Sequence, residues 1–287
     1  WTAVGCMLLL LSFLVNDRIL LHGISNTDAL RNDNVAVALF EGGSFLWNDP
    51  PDEPAEAAGE NRVIVTVLRD GAATAAVISA VGPLHGSTVI PMGTMGVGES
   101  HNLASQVRHQ GGRYLEAPVL GSRPQALSGT LLVMAGGETN DFAQQQKLLT
   151  HLSEHPIHVG PVGSGAATKL ALNQMIASLT HSFSLSLRFI QQSGVPVETF
   201  MEILRPSALY APTFDKKLQR MLDHHYSDPN FSTDLLRKDL RLFLEEAATT
   251  GLQGSGLQGL ATLLEDAQGS ELDDQDYCAL HELTVLR

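Results

Sequence analysis

The sequence predicts an α/β chain, with a parallel sheet in its first half and an all-helical second half entered by one long helix. Two observations carry this. Three short β-branched runs alternate with helix-compatible stretches in the first half, the pattern of strands joined by crossover helices. From Ala166 to Ser193 there is then neither proline nor glycine, and apolar residues recur at helical spacing.

The elements follow in order. Arg62–Leu68 (Arg-Val-Ile-Val-Thr-Val-Leu) reads as a buried strand, as do Ser87–Met92 and Thr130–Ala135. Ala-rich Gly71–Ala80 and polar Glu99–Gly111 lie between them as crossovers. Leu170, Leu172, Met175, Ile176, Leu179, Phe183, Leu185, Leu187 and Ile190 cover most sides of the long helix, which predicts that it is buried. At its full length it would run about 40 Å. Val197–Leu204, Asp215–His225, Thr233–Thr249 and Leu257–Gln268 follow as shorter helices, punctuated by glycine and proline. The change from strand-bearing to helix-only sequence puts the domain boundary at Gly163, giving domains 1–163 and 164–287. Acidic Asp49–Glu60 reads as surface loop and weak helix. No internal repeat is evident.

Composition narrows the function. The chain has 287 residues, 44% of them apolar, and 18 basic against 31 acidic residues give a formal charge of −13. Nucleic acid and anionic membrane surfaces are poor partners for such a chain; a small anionic substrate held by local donors is compatible with it. The longest largely apolar run, Met7–Val15, has nine residues, well short of the about 20 a membrane span needs. No basic stretch precedes it, so no targeting segment is expected. Cys6 and Cys278 stand far apart in the chain and suggest neither a disulfide framework nor a zinc site. A reducing compartment is the default. His155/His158 and His224/His225 lack companion ligands at metal spacing, so no metal site is expected.

Four stretches carry chemistry. Gly160-Pro-Val-Gly-Ser-Gly-Ala-Ala-Thr-Lys169 is a glycine-rich turn that opens the long helix, with Asn173 one turn beyond Lys169 on the same face. A lysine and an amide on one face of an otherwise apolar helix are not a solvated stripe. Burial would lower the lysine's pKa and suit it to acid/base work, whereas a lysine snorkelling from the helix end would do neither. Glu116-Ala-Pro-Val-Leu-Gly121-Ser122-Arg123-Pro, with Ser128-Gly-Thr130 behind it, offers free N–H groups and a hydroxyl that can hold a carboxylate; by itself it also reads as a tight loop. Phe231-Ser-Thr-Asp-Leu-Leu-Arg-Lys238-Asp239 puts a charged pair on a helix, by itself an ordinary surface feature. Pro91-Met-Gly-Thr94 is a strand end, where ligands of parallel sheets bind. No nucleophile elbow and no phosphate-loop motif is present.

From about Arg62 to Leu280 these stretches together resemble the β-hydroxyacid dehydrogenase family, which includes 3-hydroxyisobutyrate dehydrogenase and the glyoxylate/succinic semialdehyde reductases. The Arg123-Pro124 after Gly121-Ser122 is more similar to the semialdehyde-reductase branch. The resemblance implies a Rossmann-like N-terminal domain, an all-α substrate and dimerisation domain, and hydride transfer between NADP or NAD and a small aldehyde or keto acid. It makes Lys169 the catalytic residue and assigns Gly121, Ser122, Arg123 and Asn173 to the substrate. It assigns Gly5, Met7, Asn26, Leu68 and Thr94 to the cofactor, together with Phe231, Lys238 and Asp239, which would close over the nicotinamide. A cytoplasmic homodimer or homotetramer acting on a small molecule is implied as well.

The chain departs from the family's pattern near its start. Gly5 in Ala3-Val-Gly-Cys-Met-Leu8 is the one glycine left of the pyrophosphate-binding Gly-x-Gly-x-x-Gly, most of the family's first strand has no counterpart in the sequence, and Met7–Leu14 can still serve as the first crossover helix. Asn26 stands where the family has the arginine that meets the 2′-phosphate of NADP, and Leu120 and Gly93 each replace a family serine, substitutions expected to retune substrate choice. A catalytically silent scaffold of the same fold is the alternative reading. An imine reductase is a second alternative, although that group usually lacks the equivalent of Lys169.

Overall fold

The computed structural model describes residues 63–285, and the backbone of Ala36–Glu41 and Ser44–Phe45. Gly5, Met7, Asn26, the first crossover helix and Asp49–Glu60 lie outside the described residues. The chain divides into two compact units, Trp1–Leu170 and Ala171–Arg287.

Among the described residues the first unit forms an eight-stranded mixed sheet in the order β2-β1-β3-β4-β5-β7-β6, with β8 beside β7. The expected strands are present as β3 (Val63–Val67), β4 (Thr88–Pro91) and β7 (Leu132–Gly137). To these are added β1 (Ala36–Glu41), β2 (Ser44–Phe45), β5 (Arg113–Glu116), β6 (Val119–Leu120) and β8 (Ile157–Gly160). Only the centre and the β7–β8 pair are parallel: β3 pairs β4 and β4 pairs β5 in parallel, whereas β1 runs antiparallel to β3 and β7 antiparallel to β5.

Strand alternation then separates two cores. Ile64, Val89 and Tyr114 stand in register on one face, packed with Ile78, Leu103 and Val107 from α1 (Gly71–Val81) and α2 (Val97–His109). Val65, Ile90 and Leu115 point the other way and pack with Leu149 and Leu152. Leu149 ends α4 (Thr139–Leu149); a shorter helix, α3 (Arg123–Ser128), precedes β7. The crossover helices α1 and α2 start where their sequence provides a cap. Asp70 accepts the Ala73 N–H at 2.9 Å to open α1, and Glu99 reaches back to the Gly96 N–H at 2.7 Å to open α2.

The second unit is helical. The long helix α5 (Ser164–Gln192) is followed by α6 (Val197–Leu204), α7 (Pro212–Leu222), α8 (Thr233–Thr249), α9 (Ser255–Asp266) and a 3₁₀ segment, Tyr277–Thr284. Asn173, Ala177, Thr180, Ser184 and Leu187 form the buried stripe of α5 at spacings of three and four. The expectation that this helix is buried on most sides is not met: Met175, Leu185 and Phe189 are 49%, 44% and 71% exposed. Packing claims one stripe of the helix, and apolar residues off that stripe gain no cover from it.

Among the helices, Phe183 stacks on Phe214 with centroids 4.6 Å apart. Fully buried Asp276 takes Lys217 Nζ on both oxygens, at 2.8 and 2.7 Å, and caps the 3₁₀ segment through the Cys278 N–H. No described helix is long and apolar enough to cross a membrane, and the described residues contain no metal-binding cluster.

Candidate active site

The start of α5 is closed by a side chain from far away in sequence. A helix leaves its first-turn N–H groups without partners of its own. Here Ser164 N–H donates to Pro161 C=O at 3.0 Å, and Ala167 N–H begins the ladder on Gly163 C=O at 2.9 Å. The two amides between them, Gly165 and Ala166, donate to Glu116 Oε1 at 2.6 and 3.3 Å. Glu116 ends β5 and is 1% exposed. Its other oxygen accepts from Ser100, whose hydroxyl also meets Tyr114 Oη at 2.9 Å. Burial pushes the Glu116 carboxyl above its ordinary pKa, against the lowering effect of these hydrogen bonds. Lys169, half-buried, follows one turn later, and Asn173 one turn after that. Glu116 has no role legible in the sequence alone, because the amides it meets lie 49 and 50 residues away.

The Gly121–Arg123 turn follows β6 and opens α3. Gly121 has φ = 140°, and a Cβ there would lie 2.7 Å from Leu131 Cδ2, so the turn requires glycine. Ser122 does not offer free donors as the sequence suggested. Its N–H and Oγ both donate to Gln125 Oε1, at 3.0 and 2.7 Å, as the cap of α3. The two donors nevertheless converge on one oxygen, the arrangement a carboxylate oxygen would need. Arg123, next in the chain, is half-buried.

Leu68 and Thr94 lie just past the carboxyl ends of the adjacent parallel strands β3 and β4. Gly93 joins them: a Cβ on it would lie 2.1 Å from the Leu68 carbonyl oxygen. Glycine at 93 is therefore a packing requirement. Leu68 is buried and Thr94 half-buried. Both strand ends turn directly into helix N-termini at Gly71 and Gly96, a shape suited to a dinucleotide at the carboxyl edge of a sheet.

In the helical unit, Asn173 Nδ2 donates to Asp239 Oδ2 at 2.5 Å, and Lys238 Nζ pairs with Asp239 Oδ1 at 2.7 Å. The Lys238 and Asp239 side chains are 5% and 2% exposed, so this is no surface pair. The carboxylate fixes which way the Asn173 amide faces. It leaves Asn173 Oδ1 buried with no hydrogen-bond partner among the described residues, an acceptor available to a ligand hydroxyl. Phe231, half-buried, packs at 5.8 Å against the Tyr277 ring.

A family model described as the NAD binding domain of 6-phosphogluconate dehydrogenase matches residues 23–160, and one described as NAD-binding of NADP-dependent 3-hydroxyisobutyrate dehydrogenase matches 163–284. Both halves are thus those of a nicotinamide-dependent oxidoreductase. Glyoxylate/succinic semialdehyde reductase 1 of Arabidopsis thaliana is 27% identical over 80% of this chain and 81% of its own. The mitochondrial 3-hydroxyisobutyrate dehydrogenase of Rattus norvegicus is 29% identical over 69% of this chain and 62% of its own. A 3-hydroxyisobutyrate dehydrogenase structure from Salmonella typhimurium shares the fold, with a TM-score of 0.71 and 20% identity over 81% of this chain and 82% of that one. The chain belongs to the β-hydroxyacid dehydrogenase family, NAD(P)-dependent enzymes acting on CH–OH groups.

Proposed function

We propose that this chain reduces a short aldehyde acid, of the succinic semialdehyde or glyoxylate type, with Lys169 as the proton-transfer residue. The observation that carries the reading is Lys169 one turn into a helix whose first turn is closed by Glu116, with Asn173 one turn beyond it held by Asp239. The name of the Arabidopsis relative supports the substrate class.

The nicotinamide, when bound, supplies the hydride. Leu68 and Thr94 would hold the cofactor at the strand ends, and Gly5, Met7 and Asn26 are assigned to it from their sequence positions. Lys169 donates its proton to the carbonyl oxygen as negative charge develops there, and takes it back in the oxidative direction. Asn173 Oδ1 accepts the resulting hydroxyl. The Ser122 N–H and Oγ grip the substrate carboxylate once Gln125 swings away, a gain because a charged acceptor replaces a neutral amide. Gly121 gives that turn its shape, and Arg123 adds positive charge beside it. Buried Lys238 and Asp239 act through the Asn173 amide, and Phe231 gives the cofactor an aromatic edge.

Residues 1–163 form the cofactor domain in this reading, and 164–287 the substrate and dimerisation domain. A homodimer or homotetramer in the cytoplasm completes it, supported by the exposed apolar residues of α5.

The test is cofactor consumption with NADPH or NADH and each of succinic semialdehyde, glyoxylate and acetaldehyde. Turnover of the two acids at least tenfold above acetaldehyde is expected. No turnover, and no binding of either cofactor at millimolar concentration, would leave the silent-scaffold reading in its place.

A further inference from the structure

We propose that Glu116 is a positioning residue for Lys169: by clamping the first turn of α5 it sets where the lysine's amine stands. The proposal rests on Lys169 being the proton-transfer residue.

Isolated buried carboxylates are costly, and this one is almost wholly buried. It is kept by a surround built for it. Oε1 takes two consecutive helix amides and Oε2 takes Ser100, itself joined to Tyr114. Two glycines make the space: a Cβ at Gly136 would lie 2.2 Å from Glu116 Oε1, and one at Gly165 would lie 3.0 Å from it and 2.7 Å from the Met134 carbonyl oxygen. A strand end, a helix start and a neighbouring helix are thus all shaped around one side chain. An anion at a helix N-terminus is also favoured by the helix dipole.

The clamp acts on the turn immediately before Lys169. From Ala167 onward the helix carries its own ladder, so the amine's position follows from how Gly165 and Ala166 are held. Misplacing a reacting group by about 1 Å can cost 100-fold in rate. Glutamine keeps an acceptor oxygen for the two amides, alanine keeps none, and aspartate is one methylene too short to reach.

The experiment compares Glu116→Ala, Glu116→Gln and Glu116→Asp in the full chain. In Glu116→Ala and Glu116→Asp, kcat should fall about 100-fold with KM for cofactor within threefold of wild type, and Glu116→Gln should recover most of the loss. Independently of activity, amide hydrogen exchange of the 160–169 segment should rise in Glu116→Ala and stay near wild type in Glu116→Gln. Unchanged exchange in Glu116→Ala would overturn the clamp. Raised exchange with kcat within threefold of wild type would overturn the positioning role. A wild-type protein that turns over no aldehyde acid would sink the reductase reading instead, and the exchange result would still judge the clamp.

Discussion

Gly93→Ala offers a demanding check on how the cofactor edge is built. The added Cβ would fall 2.1 Å from the Leu68 carbonyl oxygen, 3.1 Å from its carbonyl carbon and 3.3 Å from its amide nitrogen. Comfortable contact between such atoms begins near 3.5 Å, so the ends of β3 and β4 must separate by more than about 1 Å. The neighbour is backbone and cannot rotate away. It is also tethered, since the Met92 N–H donates to Thr66 C=O at 2.8 Å and the Ala117 N–H to Pro91 C=O at 2.8 Å. Overpacking of this kind costs about 1–3 kcal/mol. That corresponds to a Tm lower by roughly 2–12 °C for a chain of this size. Because Leu68 and Thr94 flank the clash, NADPH affinity should also fall by about tenfold, or 1.4 kcal/mol. Differential scanning calorimetry and a nicotinamide-fluorescence titration read the two effects. Gly93→Ser, which restores the family's serine, should behave alike. A Tm within about 1 °C of wild type, with unchanged cofactor affinity, would refute the argument that this glycine is a packing requirement.

Other perturbations follow from the same structure. Burial holds the folded Glu116 carboxyl above its ordinary value of 4.5, so the folded chain keeps a proton that the unfolded chain has released. Stability from this group therefore falls as pH rises from 4.5 upward; the stability of Glu116→Gln relative to wild type should climb over that window in urea titrations, and a flat difference would contradict it. His281 is 1% exposed and bonded to Ser184, and burial, with Arg188 nearby, pushes its pKa from 6.5 down to about 4. The folded state then binds fewer protons than the unfolded one, so stability is lost as pH falls from 6.5 toward 4, by up to about 3 kcal/mol. His281→Asn should flatten that acid limb, and an unaltered limb would count against the assignment. Gly259 lies exposed within α9 with open space where a Cβ would go, so Gly259→Ala should stabilise by about 0.5–1 kcal/mol, seen as a higher urea midpoint.

What could be read from the sequence depended on how local its causes were. Val63–Val67 announces itself by β-branching, and α5 by its uninterrupted helical spacing. Arg113–Glu116 gives no strand signal in the sequence because its glutamate looks like a surface residue; its burial depends on amides 49 and 50 residues away. Thr139–Leu149 is glutamine-rich with a narrow apolar edge, which gives its helix little periodic signal in the sequence. At the site, the glycine turn, Lys169 and Asn173 were legible because turn, helix and motif coincide in one stretch. Partners contributed by distant segments were not: Glu116 for the first turn of α5, and Asp239 for the Asn173 amide. Lys238-Asp239 looks like a solvated pair in sequence and is buried in the fold. Ser122 shows the opposite error, since its donors looked free and are taken up locally by Gln125.

The most direct measurement is the turnover of Lys169→Ala beside wild type, with NADPH binding followed in the same preparations by nicotinamide fluorescence. The account predicts that kcat for a short semialdehyde falls by at least about 100-fold while cofactor affinity stays within threefold. Near-normal turnover in Lys169→Ala would contradict it.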